Sequence, residues 1–230
     1  MMRYRYLLLL LAIFSITVSA QEQTDSLRHE ILMETDSGNI RIALYNETPR
    51  HRDNMLKLVR SHAYDGMLFH RVIQNFMVQT GDLGSKNAAP GKLLGGTPEK
   101  YAIPAEIRFP QLYHKRGAVA AARESDDINP NKESSASQFY IVCGHKYADN
   151  QLDWVQGQLD AATDSTAKLT PEQREVYKTV GGTPFLDAQY TVFGEVVEGM
   201  DVVSKIEHAS CDANDRPVAD IRVQRVTVVK

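Results

Sequence analysis

Residues 69–82 read FHRVIQNFMVQTGD, and this stretch joins two runs of strand-forming residues, MLFHRVI at 67–73 and FMVQTG at 76–81. Side chains alternate between the two faces of a strand, so Met77 and Gln79 are predicted to share one face. Comparable runs follow, separated by Gly, Pro and Asn: AVAAA at 118–122, QFYIVC at 138–143, YTVFGEVV at 190–197 and IRVQRVTVV at 221–229. Many short strands with turn residues between them indicate a mainly β fold.

The chain before this stretch predicts a hairpin and a helix. Residues 31–45, ILMETDSGNIRIALY, hold two β-rich runs around a turn at 36–39. Thr48 is then predicted to cap a helix with Pro49 in its first turn. One face of this helix is predicted to pack on the sheet, because residues recur on it at helical spacing: Met55, Leu58, Val59 and His62. A second helix is predicted at about 200–208.

These elements together predict a closed, eight-stranded antiparallel β-barrel whose ends are covered by two α-helices. Residues 145–184 interrupt the succession of short strands and carry helical signals of their own. Thr170, Pro171 and Gln173 have the spacing of a helix cap, a first-turn proline and a capping-box partner. The segment is therefore interpreted as a partly helical insertion between two strands.

The N-terminus has the features of a secretory signal peptide, assigned to residues 1–20. Arg3 and Arg5 precede an apolar run at 7–18, which is shorter than the roughly 20 residues of a membrane-spanning helix. Cleavage is expected between Ala20 and Gln21, and the product is expected to be periplasmic or secreted, without stable membrane insertion.

Cleavage would leave a flexible tail at 21–29 and a single domain at 30–230. Removal of the two signal-peptide arginines from 26 Lys and Arg leaves 24 against 29 Asp and Glu, a net charge of −5. This acidic balance does not favour a nucleic-acid partner. Cys143 and Cys211 permit one disulfide, but Cys143 ends an apolar run, which favours a buried strand thiol. The His and Cys residues lack metal-ligand spacing, so no metal is expected.

Four further blocks, with FHRVIQNFMVQTGD, resemble the cyclophilin family of peptidyl-prolyl cis/trans isomerases. They are PRHRDNMLKLV at 49–59, HKRGAVAAAR at 114–123, SASQFYIV at 135–142 and FLDAQYTVFGEVVEGMDVV at 185–203. The blocks occur in the family's order, and the resemblance extends from about Ile31 to the C-terminus apart from 145–184. It implies an enzyme that rotates X-Pro peptide bonds and needs no cofactor.

The resemblance implies that Arg71 and Gln79 are the catalytic residues. An arginine suits this task because its charge is permanent and it offers several N–H donors. The implied substrate-binding residues are Phe76, Met77, Ala122, Arg123, Gln138, Tyr140, Phe185, Leu186 and Tyr190. Ala122 and Arg123 match positions that contact the residue before proline, with their main chain expected to matter more than their side chains. Period-two alternation places Gln138 and Tyr140 on one face and Phe139 in the core.

Three departures from the family pattern affect specificity. Phe185 stands where many members have Trp, whose indole N–H contributes to cyclosporin affinity, so strong cyclosporin sensitivity is not expected. Tyr190 replaces a His seen in many eukaryotic members and keeps an aromatic wall. The loop PGKLLGGTPEK at 90–100 is altered, so recognition of residues flanking proline cannot be transferred from the family.

The expected partners are proline-containing, unfolded or flexible polypeptides, and the protein is expected to be a monomer. One alternative is a non-enzymatic module that binds proline peptides in the same groove. Another is a secreted barrel that binds sugars or other small molecules. Trp154, with Leu152 and Val155, is interpreted as an anchor of the insertion, and an exposed Trp there would instead mark a partner surface.

Overall fold

The computed structural model describes residues 28–230. The predicted signal peptide and most of the predicted tail therefore lie outside the described residues. Within residues 28–230, no helix is both long enough and apolar enough to cross a membrane.

The described chain contains ten strands and four α-helices. In chain order they are β1 (Glu30–Thr35), β2 (Gly38–Leu44), α1 (Pro49–Arg60), β3 (Arg71–Ile73), β4 (Met77–Thr80), β5 (Ala102–Ile103), β6 (Ala118–Ala121), β7 (Ser134–Ser135), β8 (Phe139–Val142), α2 (Asp149–Ala162), α3 (Pro171–Thr179), β9 (Val192–Glu198), α4 (Met200–Glu207) and β10 (Val223–Val228). Short 3-10 helices occur at Leu83–Ser85 and Pro184–Leu186. The mainly β prediction is confirmed, and so is the hairpin, in which Thr35 pairs with Gly38.

Eight strands form one antiparallel sheet in the order β10-β1-β2-β9-β6-β8-β4-β3. The sheet is open between β3 and β10, so it is a curled half-barrel rather than the predicted closed barrel. The chain at 66–69 meets the chain at 221–223 through a few backbone hydrogen bonds and one isolated bridge, Leu68 with Arg222. The contact does not join β3 to β10 as paired strands. The bridged residues lie outside both strands, since β3 begins after Leu68 and β10 begins after Arg222.

Strand alternation divides the apolar side chains into a main core and a smaller cluster beneath the functional site. On β8, Phe139 and Ile141 enter the main core, while Tyr140 and Val142 belong to the smaller cluster. This confirms the prediction that Phe139 and Tyr140 face opposite ways. Helices α1 and α4 cover the main core with Met55, Leu56, Val59, Val202, Val203 and Ile206. His62 was expected on the apolar face of α1, but it lies beyond the helix end and is exposed.

The N-terminus of α1 is capped by a residue distant in sequence. Thr48 occupies the cap position, but its side chain makes no capping hydrogen bond. The Glu106 carboxylate accepts instead from the main-chain N–H groups of Arg50 and His51, at 3.2 and 3.0 Å. A carboxylate suits this position because it accepts free N–H groups at the positive end of the helix dipole. Thr48 therefore holds the predicted cap position, but the acceptor is the Glu106 carboxylate and not the Thr48 hydroxyl.

The segment 145–184 folds as two helices with a small core of its own, formed by Tyr147, Leu152, Val155, Leu159, Leu169 and Tyr177. The predicted capping box is confirmed: Gln173 N donates to Thr170 Oγ1, and Thr170 N donates to Gln173 Oε1. The two ends of the segment touch, since a Cβ on Gly144 would lie 2.2 Å from the Gly182 carbonyl oxygen. The segment thus leaves and rejoins the sheet at one place.

Cys143 and Cys211 are both free thiols. Cys143 is fully buried, and burial raises the pKa of its thiol. The expectation of a buried strand thiol is confirmed, and the permitted disulfide is not formed.

Candidate active site

Strand register brings the predicted catalytic and binding residues into one row across the sheet. Arg71 on β3 pairs with Gln79 on β4, and Gln79 pairs with Tyr140 on β8. Tyr140 in turn pairs with Ala120 on β6. Directly paired residues place their side chains on the same face, so Arg71, Gln79 and Tyr140 project together.

These side chains surround a pocket with a volume of about 160 Å³. Its lining consists of Arg71, Phe76, Met77, Gln79, Ala122, Arg123, Tyr140, Leu186 and Tyr190. Two of the residues predicted from the sequence, Gln138 and Phe185, lie next to the pocket without lining it. The floor is apolar and closed to water, since Met77 and Tyr140 are almost fully buried.

Arg71 is the cation at the rim of this pocket. Its side chain is 43% exposed, and its Nε lies 3.5 Å from Oδ2 of Asp215, a side chain that is 46% exposed. An ion pair of this length between exposed groups contributes little free energy. The guanidinium is therefore free to exchange this contact for a ligand in the pocket.

Gln79 and Gln138 form a short amide chain beside Arg71. Gln79 Nε2 donates to Gln138 Oε1 at 3.2 Å, and Gln138 Nε2 donates to the Gly95 carbonyl at 2.9 Å. Gly95 is held in turn by Asp82, whose carboxylate accepts the Gly95 N–H at 2.5 Å. Burial alone would raise the pKa of Asp82, but hydrogen bonds from Thr97, Gly95 and Gly84 outweigh it and lower that pKa. The loop after β4 thus fixes the glutamine pair.

The wall opposite Arg71 is held by the side chain of Arg123. Its guanidinium carbon lies 4.4 Å from the centre of the Tyr190 ring, and its Nε donates to the Gln189 carbonyl at 3.0 Å. The Arg123 side chain is only 5% exposed. The main-chain N–H of Ala122 is already bonded to the Gln138 carbonyl. The expectation that the main chain of Ala122 and Arg123 matters more than their side chains gave no role to these contacts of the Arg123 side chain with the pocket wall.

A buried polar network supports the pocket floor. The Tyr140 hydroxyl lies 3.1 Å from His114 Nε2, and His114 Nδ1 lies 2.9 Å from Asp187 Oδ1. The second carboxylate oxygen of Asp187 accepts from the Tyr177 hydroxyl at 2.6 Å. A carboxylate only accepts, so His114 Nδ1 carries a proton, and in the neutral ring Nε2 accepts from Tyr140. Burial raises the pKa of Tyr140 and of Tyr177, which keeps both hydroxyls as donors.

Sequence reasoning did not find this network. His114 and Asp187 lie within the two family-like blocks at 114–123 and 185–203, but no role was assigned to either. Tyr177 lies on α3, in the segment that departs from the family pattern. A buried Tyr on a helix has no sequence signal that names its partner, so only the tertiary structure reveals the link.

His70 is next to Arg71 in sequence but not in the pocket. It is buried, and burial lowers the pKa of its imidazole, so the ring is neutral near pH 7. The His70 side chain therefore packs into the interior. Among the described residues, no three His, Cys, Asp or Glu side chains are grouped as metal ligands.

Comparisons with known proteins agree with this site. Residues 30–228 match the family model "Cyclophilin type peptidyl-prolyl cis-trans isomerase/CLD". The chain is 31% identical over 220 residues to peptidyl-prolyl cis-trans isomerase CYP71 of Arabidopsis thaliana, covering 95% of this chain but 27% of that protein. It is also 27% identical over 207 residues to a Staphylococcus aureus protein that is provisionally named a peptidyl-prolyl cis-trans isomerase. The match covers 86% of this chain and 91% of that protein.

Solved structures show the same fold. A cyclophilin type peptidyl-prolyl cis-trans isomerase of Cryptosporidium parvum superposes with a TM-score of 0.61 at 20% identity, covering 88% of this chain and 98% of that one. A second structure of that protein, obtained in the presence of the dipeptide Ala-Pro, gives a TM-score of 0.59 at 21% identity, covering 87% of this chain and 99% of that one. The match over residues 30–228 decides the assignment: this chain belongs to the cyclophilin type peptidyl-prolyl cis-trans isomerases, and its activity is cis/trans isomerisation of X-Pro bonds.

Proposed function

We propose that this isomerase acts on proline-containing segments of unfolded or flexible exported polypeptides, with Arg71 as its catalytic residue. The observation that carries the proposal is the half-exposed Arg71 guanidinium at the rim of a small apolar pocket. Gln79, its partner across the strand pair, orients the substrate or Arg71 itself.

The chemistry follows from the electronic structure of the amide. Rotation about an X-Pro bond meets a barrier of roughly 18–20 kcal/mol because amide resonance is lost as the bond twists. The prolyl nitrogen then regains a lone pair that accepts a hydrogen bond, whereas in the planar ground states this pair is delocalised. A donor at this position binds the transition state more strongly than the substrate, which raises turnover.

One hydrogen bond does not supply the whole effect. A 10⁵-fold acceleration needs roughly 7 kcal/mol, and a single charged hydrogen bond contributes about 1.5–3 kcal/mol. The remainder must come from holding the proline ring while the preceding carbonyl rotates. Met77, Tyr140 and Tyr190 offer the buried floor and aromatic wall for this, and Phe76 and Leu186 complete the apolar lining. The Cryptosporidium parvum structure obtained in the presence of the dipeptide Ala-Pro is consistent with a proline-containing ligand.

The export proposal rests on residues 1–20 alone, whose basic start and apolar run are typical of a signal peptide. Export would bring the enzyme to newly translocated chains, whose slow X-Pro isomerisation limits folding. N-terminal sequencing of the extracytoplasmic protein should begin at Gln21. A soluble mature protein that retains Met1 would refute cleavage at this site.

Arg71→Ala tests the catalytic proposal. NMR exchange measurements on an X-Pro peptide should show isomerisation reduced by a factor of about 10² or more, with peptide binding largely retained. Arg60→Ala is the matched control, because Arg60 is an exposed arginine in the last turn of α1. Equal isomerisation by wild type and Arg71→Ala at matched occupancy would refute Arg71 as the catalytic residue. A wild-type rate no faster than that of the free peptide would instead favour the alternative function, a proline-peptide binding or chaperone module.

A further inference from the structure

A second groove adjoins the pocket, built by the segment 145–184. It lies between α2 and the 3-10 helix Pro184–Leu186, with a volume of about 580 Å³. Its apolar surface comes from Tyr147, Trp154, Val155 and Phe185. This volume is in the range of sites that bind small ligands or single side chains of a peptide.

Trp154 is the unusual feature of this groove. It is 66% exposed, although its neighbours Leu152 and Val155 on the same helix are fully buried. Those two residues anchor α2, so the interpretation of Trp154 as an anchor is wrong. Exposing a large indole on the surface gains nothing for folding, whereas exposed aromatic residues in concave sites commonly anchor ligands.

The chemistry of the lining indicates the kind of ligand. It contains no Asp, Glu, Lys or Arg; its polar members are amides, such as those of Asn150 and Gln158, and the imidazole of His145. The His145 ring stacks on Tyr147 with centroids 4.2 Å apart, which gives the groove a packed aromatic side. An apolar or aromatic side chain suits this surface, and the amides can bond to the main chain that carries it.

The groove lies next to the pocket that Arg71 lines, where the proposed function places the proline. Phe185 lines the groove, and its ring lies 5.7 Å from the ring of Phe76, which lines the pocket. The next residue, Leu186, lines the pocket itself. An extended peptide advances about 3.3 Å per residue, so a chain whose proline fills the pocket reaches the groove within about two or three residues.

We propose that this groove is a substrate subsite, which takes an apolar or aromatic side chain two or three residues from the proline on one side of it. This inference rests on the proposed function, since it needs the proline in the neighbouring pocket. It makes the 145–184 segment a determinant of substrate choice.

A peptide series tests the subsite. Each peptide has one proline in an alanine background, with a single Phe placed at one to three residues before or after it. NMR exchange avoids a coupling protease, whose own preference for Phe would confuse the result. Phe two or three residues from the proline, on one side of it, should raise kcat/KM about fivefold to tenfold over the alanine peptide.

In Trp154→Ala, kcat/KM for the Phe peptide divided by kcat/KM for the alanine peptide should be close to one. Val180→Ala is the control, because Val180 is also an exposed apolar residue of the segment but does not line the groove, and it should preserve the ratio. Two results would overturn the subsite. One is a wild-type ratio near one wherever Phe is placed in the peptide, and the other is a Trp154→Ala ratio as high as that of wild type. If wild type isomerises none of the peptides, the proposed function fails instead.

Trp154 also reports binding directly, since it is the only tryptophan in the sequence. The preferred Phe peptide should shift its fluorescence emission to the blue, and the alanine peptide should not. Absence of any shift would overturn the proposal independently of turnover. A blue shift that appears without peptide as protein concentration rises would show that a second copy of the chain covers the groove, which would also overturn it.

Discussion

The Tyr177 hydroxyl, on helix α3, lies 2.6 Å from Oδ2 of Asp187, the residue that follows Leu186 of the pocket lining. Asp187 holds His114, and His114 contacts the hydroxyl of Tyr140 in the pocket floor. A side chain of the 145–184 segment therefore completes a hydrogen-bond chain that ends at the candidate active site. The segment is part of the support of the pocket as well as an addition to its surface.

Tyr177→Phe should destabilise the protein by about 1–3 kcal/mol, because it leaves one oxygen of the buried Asp187 carboxylate without its donor. The pocket floor should also become less well fixed, which lowers kcat/KM severalfold. Urea unfolding and NMR exchange measure the two effects. Tyr113→Phe is the control, because Tyr113 contacts the Tyr177 ring but its hydroxyl is outside the network. Similar stability losses in both variants would argue against a specific role for the Tyr177 hydroxyl.

The strands and helices could largely be predicted from the sequence because each carries a local signal. The alternation around Tyr140 and the capping box of Thr170 are determined by residues close in sequence, and both are confirmed. The pocket lining was transferred from family-like blocks, and the structure brings most of it together.

Features that depend on distant contacts could not be predicted. Glu106 caps α1 from 55 residues away, and nothing near Thr48 signals this. Whether the sheet closes depends on how many residues around Leu68 and Arg222 pair with each other. The hydrophobic pattern of the sequence does not determine that number. The same holds for Tyr177, whose partner lies beyond the end of its helix.

Phe185→Trp should raise cyclosporin affinity about twofold to tenfold, because it supplies the indole N–H that this position lacks and one hydrogen bond contributes about 0.5–1.5 kcal/mol. Phe185 is 37% exposed beside Phe76, so a larger ring has room on its solvent side. Inhibition of isomerisation by cyclosporin measures the change. Phe185→Tyr enlarges the ring without placing an indole donor there, and an equal gain in that variant would show that ring size is responsible.

Asp82 should make stability fall in acid. Its folded pKa is lowered from the ordinary value of 3.8, so its contribution is fully present above about pH 4 and is lost as pH falls through the folded pKa. The difference in unfolding free energy between wild type and Asp82→Asn should therefore shrink as pH falls from 5 towards 2. Asp201→Asn, at an exposed residue of α4, should show no such trend. A difference that stays constant over this range would contradict the assignment.

Arg123→Ala should weaken substrate binding more than turnover. The substitution removes the guanidinium above the Tyr190 ring and its bond to the Gln189 carbonyl, so the aromatic wall of the pocket loses its support. A desolvated cation–π contact contributes up to about 2 kcal/mol, which corresponds to a rise in KM of up to about 30-fold. In the proposed mechanism Arg71 still donates to the prolyl nitrogen, so kcat should change little. Arg123→Lys keeps the charge but not the planar guanidinium, so its KM should lie between those of wild type and Arg123→Ala. If kcat falls as steeply in Arg123→Ala as in Arg71→Ala, with KM unchanged, Arg123 acts on the transition state and not on the wall.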